Sequence, residues 1–334
     1  MGENGKKITI QDVAFELGVS KTTVSRAISG KGRVGEATRK RVLAYIEQFN
    51  YVPNAMAKGL AQSRTYNIGL AVPEDFALVD LPFFQKCLMG ISKCAGEADY
   101  DVVISMVSGK DASSLERMVK NRKVDGVIVT RTLVDDEPVR MLKSFGIPFV
   151  TIGSCDDDTV VQIDNDHETA CGMLTSILLK RGIGKVALLC GDESHVVTRN
   201  RKQGFLNAVE EAGIKGTSRM IFDDTNGSKL DKAVDTILDE EYDCILCMDD
   251  SICVRVLDKL KKEEINVPED IQVASFYNSS VLERNTPSIT SLKFDAFTLG
   301  ETATKILLDK IAGREVNGRT LLGYEISLKE STKL

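Results

Sequence analysis

The sequence predicts an α/β protein built in two parts: an N-terminal helix-turn-helix headpiece, then two doubly wound α/β subdomains. Three observations predict it. Residues 9–30 hold two short amphipathic patterns joined by a glycine turn. From Asn67 onward, apolar strand-like runs alternate with helical stretches, the signature of parallel sheets covered on both faces. The charge divides at the same place: residues 1–66 carry 11 Lys/Arg against 5 Asp/Glu, a balance of +6, and the rest of the chain carries −12 within a net charge of −6. A basic module on an acidic body is suited to meet a polyanion through the module alone.

Size and composition fit this division. The 334 residues, 43% hydrophobic and 28% charged, suffice for two or three globular cores. No apolar run approaches the ~18 residues of a membrane span, and MGENGKKITIQD has no apolar core of a secretory signal. The eight cysteines follow no disulfide framework. Reduced thiols in a cytoplasmic protein are therefore expected, with no membrane partner.

In the headpiece, Thr9 is placed to cap a first helix, with Asp12 completing a capping box. Val13, Ala14 and Leu17 form its apolar face, Gly18 ends it, and Val19 is expected to be buried in the turn. Ser20 caps a second helix that runs to Ser29 and stops at Gly30. Val24, Ala27 and Ile28 must face the core, so Lys21, Thr22, Ser25 and Arg26 point outward with hydrogen-bond donors. A recognition helix presents such side chains to base edges in the major groove. Lys21 and Arg26 suit guanine acceptors and the Thr22 methyl suits thymine, while Ser20, Thr23 and Ser29 are better placed for phosphates. A plain helical hairpin with a solvated polar face is the competing reading. A third helix, EATRKRVLAYIEQF, is expected to bury Val42, Leu43, Ile46 and Phe49. A last short helix, AMAKGLAQ, capped by Asn54 and weakened by Gly59, is below the length that holds alone in water, so it is expected to order only on DNA with a partner copy. The run Gly30 to Gly35 spells G-x-G-x-x-G, but it follows a helix and lacks a βαβ scaffold. It reads as the loop behind the recognition helix, with Arg33 free to reach a phosphate or base.

These residues resemble the lactose-repressor (LacI/GalR) family, in the strings DVA…GVSKTTVSRAISG, TRKRV and NYVPNAMAKGLA. The resemblance implies base reading by Lys21, Thr22 and Arg26, and Asn54, Ala57, Leu60 and Ala61 in the minor groove, with Leu60 as the apolar wedge that bends the operator. Thr9 joins the DNA-facing set at the edge of the first helix. Two copies would read a pseudo-palindrome. The implied division is a headpiece at 1–53, a hinge helix and linker at 54–66, and an effector-binding and dimerisation body at 67–334.

The body reads as strands NIGLAVP, DVVISMV, DGVIVT, PFVTIG, VVQID, KVALLCG, RMIFDD, CILCMD and QVASFYN, too many for one compact sheet. It resembles a type I periplasmic sugar-binding protein. That implies chain crossings near residues 165, 294 and 322, hence an N-subdomain at 67–165 and 295–322 and a C-subdomain at 166–294 and 323–334. The ligand site lies between them, beyond the strand ends. In the cleft the resemblance places Phe83 and Phe84 against a sugar face, Arg199 on hydroxyls or a carboxylate, Asp249 at a strand end, and Asp164 with Asn165 at a crossing. Core packing for one Phe ring, a surface salt bridge for Arg199, helix capping by Asp250 and a hinge role for Asp164-Asn165 stay open. Two departures stand out: Tyr277 occupies a position where members often carry Asp, and Asp223-Asp224-Thr225 one where many carry an aromatic. VTRTLVDDEPVRMLKSFGIPFVTIG looks like members that answer to maltose-type sugars.

The expected function is a ligand-responsive transcription regulator, a repressor, with a small sugar as effector and operator DNA and a second copy as partners. The chain ends without a heptad extension, so a dimer is expected rather than a coiled-coil tetramer. A protein co-regulator could replace or assist the ligand, with the exposed face of Gln85 to Ala98 as its dock. Cys244 and Cys247 sit three apart in a strand and so face opposite ways. His167 and His195 have no third ligand nearby, so neither a metal nor any cofactor is expected. No P-loop, G-x-S-x-G or H-E-x-x-H is present, which argues against an enzyme. A sugar-binding protein without a DNA role is the remaining alternative, and the headpiece opposes it.

Overall fold

The computed structural model describes residues 8–30, 32–51, 59, 62–74, 82–108, 111–220 and 227–332. They belong to two compact units, Met1–Thr65 and Tyr66–Leu334. The first holds helices α1 (Ile10–Leu17), α2 (Lys21–Ser29) and α3 (Glu36–Gln48). Thr9 and Asp12 form the capping box at the start of α1, and Gly18 ends it in the left-handed region at φ 63°. Val13, Ala14, Val24, Ala27, Val42 and Tyr51 make the buried centre, with Val19, Ile28, Tyr45 and Ile46 packed against it. The α3 stripe differs from expectation: Leu43 and Phe49 are exposed. Leu43 lies one residue, some 100°, off the Val42–Ile46 line, and the Phe49 ring stacks on Tyr45 at 4.4 Å rather than entering the core.

The second unit has two six-stranded sheets. The first contains β1 (Asn67–Pro73), β2 (Asp101–Val107), β3 (Gly126–Val129), β4 (Phe149–Ile152), β5 (Gln162–Asn165) and β11 (Arg319–Leu322), in the order β11-β5-β4-β3-β1-β2 and all parallel. Helices α4 (Pro82–Glu97), α5 (Ser113–Lys120), α6 (Glu137–Phe145) and α12 (Ala296–Ile311) cover it. The second contains β6 (Lys185–Cys190), β7 (Lys215–Met220), β8 (Cys244–Cys247), β9 (Gln272–Ser275), β10 (Thr290–Lys293) and β12 (Glu325–Ser327), in the order β12-β10-β9-β8-β6-β7. Only the β10–β12 pair is antiparallel. Its helices are α7 (His167–Lys180), α8 (Val196–Ala212), α9 (Ser228–Asp239), α10 (Asp250–Lys262) and the short α11 (Ser280–Arg284). The chain passes between the sheets at β5 to α7, at β10 to α12 and at β11 to β12.

Burial on both faces explains the near-continuous apolar strands. Along β6, Val186, Leu188 and Cys190 enter one core and Ala187 and Leu189 the other. Cys244 and Cys247 likewise divide between the two faces, so they form no pair. The expected strand RMIFDD lies mostly outside the described residues; pairing with β6 instead begins at Lys215. In each half one helix pair crosses at glycines. A Cβ on Gly90 would collide with the Phe297 carbonyl, one on Gly300 with that of Cys87, and one on Gly204 with that of Glu168. By contrast, Gly96 near the end of α4 faces open space.

Gly300→Ala should therefore destabilise the body by about 2 kcal/mol, because the α4–α12 crossing must spread. Gly96→Ala should stabilise it by about 0.5 kcal/mol through the unfolded chain. Urea unfolding of the two variants beside the parent chain checks the opposite signs.

Candidate functional site

In the headpiece, the Ser20 hydroxyl accepts from the Thr23 amide at 3.0 Å and its oxygen lies 2.8 Å from the Thr23 hydroxyl. That cap fixes the start of α2 and uses part of both hydroxyls' capacity. Lys21, Thr22, Ser25 and Arg26 are exposed on the face opposite Val24 and Ala27. Among the described residues, Lys21, Arg26 and Arg33 form no ion pair, so their charges remain available. Gly30 caps α2 at φ 69°, its amide donating to the Arg26 carbonyl, and a Cβ on Gly32 would press on the Arg26 side chain at 3.1 Å. The glycine run thus belongs to the end of this helix. Thr9 is engaged with Asp12 through its amide at 2.8 Å and its hydroxyl at 2.7 Å. Asn54, Ala57, Leu60 and Ala61 lie outside the described residues.

In the body, groups near the strand ends of the two sheets meet along the expected cleft. Its rim is joined by main-chain hydrogen bonds: Val134 donates to the Ser194 carbonyl at 2.9 Å and Val196 to that of Thr132 at 3.3 Å. Inside, the Phe83 ring meets Phe84 edge-on at 5.3 Å and Tyr277 edge-on at 6.2 Å. Tyr277 stacks on Phe294 at 6.4 Å, and Phe294 meets His167 edge-on at 4.7 Å. Arg201 is buried beneath these rings. Its Nη1 donates to the Met248 carbonyl at 2.9 Å, its Nε to His167 Nδ1 at 3.4 Å, and its guanidinium lies 6.0 Å from the Tyr277 ring centre.

The chain of contacts continues to Asp164. The His167 Nε2 is 3.4 Å from Asp164 Oδ1, and the Ser154 amide and hydroxyl both donate to Asp164 Oδ2 at 2.8 Å. With Nδ1 accepting from Arg201, the imidazole is the neutral Nε2–H tautomer, donating to Asp164. Burial, and then the Arg201 charge, hold His167 below its ordinary pKa. Burial alone would raise Asp164, but the nearby imidazole and the Ser154 hydrogen bonds outweigh it, and its pKa lies below the usual value. Asp249 caps α10 by accepting from the Ile252 amide at 2.9 Å; burial raises its pKa against these hydrogen bonds and the Arg201 charge. The capping role left open for Asp250 falls to Asp249; Asp250 is buried, and its Oδ1 has no hydrogen-bond partner among the described residues. Burial, with Asp250 adding, pushes the Tyr277 phenol up.

The structure thus links Phe83, Phe84, Tyr277, Asp164 and Asp249 into one network of ring, polar and charge contacts that includes Arg201. It does not bring Arg199 there: that side chain is 47% exposed and pairs with Asp156 at 3.3 Å on the rim. Arg201, His167 and Phe294 are the groups that sequence reading missed. A helical signal for the first was present. Arg201, Gly204, Phe205 and Ala208 share the buried line of α8, and Arg199 lies some 200° away from it. Asp223-Asp224-Thr225 lies outside the described residues.

Comparison with known proteins gives consistent matches over the whole chain. The family profile described as "Bacterial regulatory proteins, lacI family" matches residues 9–54, and that described as "Periplasmic binding proteins and sugar binding domain of LacI family" matches residues 65–329. The HTH-type transcriptional regulator MalR of Streptococcus pneumoniae serotype 4 is 30% identical over 96% of this chain and 98% of its own. The lac repressor dimer, solved with operator and the anti-inducer ONPF, is 25% identical and superposes at a TM-score of 0.81 over 98% of this chain and 99% of its own. The transcriptional regulator CelR in complex with cellobiose is 27% identical, with a TM-score of 0.73 over 97% of this chain and 99% of its own.

The neutral imidazole has a stability consequence. The unfolded chain binds a proton at this histidine near pH 6.5, and the folded chain binds it only at a lower pH. The contribution is complete above that value and drains as the pH falls through it toward the folded pKa. His167→Gln should therefore flatten the loss of stability between about pH 7 and pH 5. Urea midpoints across that range check it, and a slope equal to the parent's would mean that the imidazole titrates normally.

Proposed function

The chain belongs to the LacI family, DNA-binding transcription regulators with an effector-binding domain, and on that premise we propose a homodimeric, sugar-responsive repressor. The observation that carries the DNA half is the outward face of α2. A helix capped by Ser20 and Gly30 presents Lys21, Thr22, Ser25 and Arg26 to solvent without internal ion pairing. In the major groove, Lys21, Thr22 and Arg26 read base edges. Ser20, Thr23 and Ser29 position the unit on phosphates, Ser25 lies on the base-facing side, Arg33 reaches a phosphate or a base, and Thr9 completes the DNA-facing set. Asn54, Ala57, Leu60 and Ala61 occupy the minor groove, with Leu60 wedged into a base step.

Dimerisation is supported by the apolar surface of the first half of the body. Met89 on α4 is 63% exposed, and Ile104 on the edge strand β2 is 51% exposed. Large apolar side chains exposed on neighbouring elements, beside an unpaired strand edge, favour a self-complementary contact. Two copies then present two α2 helices to a pseudo-palindrome. A regulator that works on DNA is a cytoplasmic protein, and there its thiols stay reduced.

For the effector, rings beside hydrogen-bonding groups suit a sugar: Phe83, Phe84 and Tyr277 offer stacking faces, and Arg201, Asp249 and Asp250 take hydroxyls. That CelR was solved with cellobiose supports this class. The Tyr277 ring occupies the floor of the cleft, so a ligand must seat against an aromatic there. Binding changes operator affinity only so far as the ligand prefers one relation of the two halves.

Arg26→Ala should weaken operator binding about tenfold to a hundredfold, and Leu60→Ala should weaken it without altering effector binding. Gel shifts on the upstream region of its own gene check both, and an unchanged Leu60→Ala shift would remove the wedge role. In a thermal-shift panel of mono- and disaccharides, the matching sugar should raise Tm by several degrees at saturating excess. Phe83→Ala should abolish that rise while leaving operator binding intact.

A further inference from the structure

We infer that the cavity at the first chain crossing is a second small-ligand site, for a neutral polyhydroxylated molecule. It has a volume of about 370 Å³, within the range of small-molecule pockets. Asn165 ends β5 and pairs in register with Leu322, the last residue of β11. Asn165 lines the cavity, only 2% of the residue is exposed, and neither carboxamide atom has a hydrogen-bond partner among the described residues. Burying an amide in that state is costly, because its bonds to water are lost and not replaced. A leucine of similar shape would avoid the cost, so the amide gains a use when a molecule outside the chain engages it.

The surroundings define what that molecule is. Asn200, Ser176 and Arg319 line the same space. Arg319 is exposed and forms no ion pair among the described residues. Three carboxylates, Asp166, Glu168 and Glu211, also line it. Glu168 accepts from Asn207 at 3.1 Å and Asp166 from the Thr169 amide at 3.2 Å, so two of the three are held in place. This acidic lining opposes an anion. Amides, hydroxyls, carboxylates and one guanidinium together satisfy a molecule that donates and accepts at many points without net charge, which is a polyol.

The site adjoins the cleft and shares Ser154 and His167 with the network there. Arg201, Tyr277, Phe83 and Asp249 take no part in it, and His167 is the wall between the two, lining the cavity while its ring meets Arg201 and Phe294. The cavity also joins both halves of the body, since Arg319 belongs to the first sheet and α7 and α8 to the second. A molecule held there touches the first crossing itself, at Asn165 to His167.

The test uses calorimetric titration of the full chain with glucose, with myo-inositol and with inorganic phosphate, alongside thermal unfolding. Asn165→Leu should melt no lower than the parent and should weaken glucose or inositol binding at this site about tenfold or more. Arg319→Ala, a change on an exposed strand, should weaken it in the same sense. Phe83→Ala, which alters the cleft, should leave it unchanged. The inference is overturned if neither polyol binds the parent chain, if phosphate binds in their place, or if Asn165→Leu titrates like the parent. A marked loss of Tm in Asn165→Leu would also overturn it, because the amide would then serve the fold. Crystals soaked in the binding polyol should show it against Asn165; water alone at that position counts against the site.

Discussion

A guanidinium cannot shed its proton at any pH the protein meets, so a buried arginine dictates the chemistry of its neighbours. Arg201 is that group. Its bond to the Met248 carbonyl ties α8 to the end of β8, next to the acidic start of α10. Its contact with Nδ1 selects the neutral tautomer of His167, which turns Nε2–H toward Asp164. Asp164 in turn takes both donors of Ser154, the residue that follows β4. One fixed charge therefore aligns groups on both halves of the body. Without it, the neighbouring carboxylates of Asp249 and Asp250 would lose the positive charge that faces Asp249.

The aromatic residues use the same centre differently. Phe83 comes from α4, Tyr277 follows β9, Phe294 sits at the second chain crossing and His167 at the first. Ring contacts of this kind depend on centroid distance and tilt more than on hydrogen-bond alignment, so they tolerate small rotations of one half against the other. The rim bonds between Thr132–Val134 and Ser194–Val196 do not tolerate them. A cleft with a compliant interior and a directional rim can hold ligands of somewhat different shape while still registering whether it is shut.

Most of the architecture was legible because two-sided burial leaves continuous apolar runs. NIGLAVP, KVALLCG and CILCMD read as strands from their residue pattern alone. The strands that escaped were β10, β11 and β12, and β7 was displaced toward Lys215. Of these, β7, β11 and β12 are edge strands with short or polar sequences, KGTSRM, RTLL and EIS, where packing on one side imposes little pattern. In the headpiece, local signals sufficed: capping residues and glycines set the helix ends, and the outward face of α2 followed from its inward one. The cleft was less legible because its members come from strand ends far apart in sequence. Arg199 and Arg201 are two residues apart, and only the helical phase of α8 separates a rim salt bridge from the buried centre. Asp249 and Asp250 pose the same problem, since whichever residue caps α10 leaves the other to face inward.

That helical phase also bears on how the two halves communicate. The α7–α8 crossing is closed by Gly172 and Gly204, and the α4–α12 crossing by Gly90 and Gly300, so in each pair the backbones interlock and sliding of one helix past the other is opposed. Relative motion must then be taken up where the chain leaves one sheet for the other. Two of those three places carry residues of the cleft network itself, His167 at the first and Phe294 at the second. A ligand that moves Arg201 or Tyr277 acts on the crossings through direct contact, with no relay through either core.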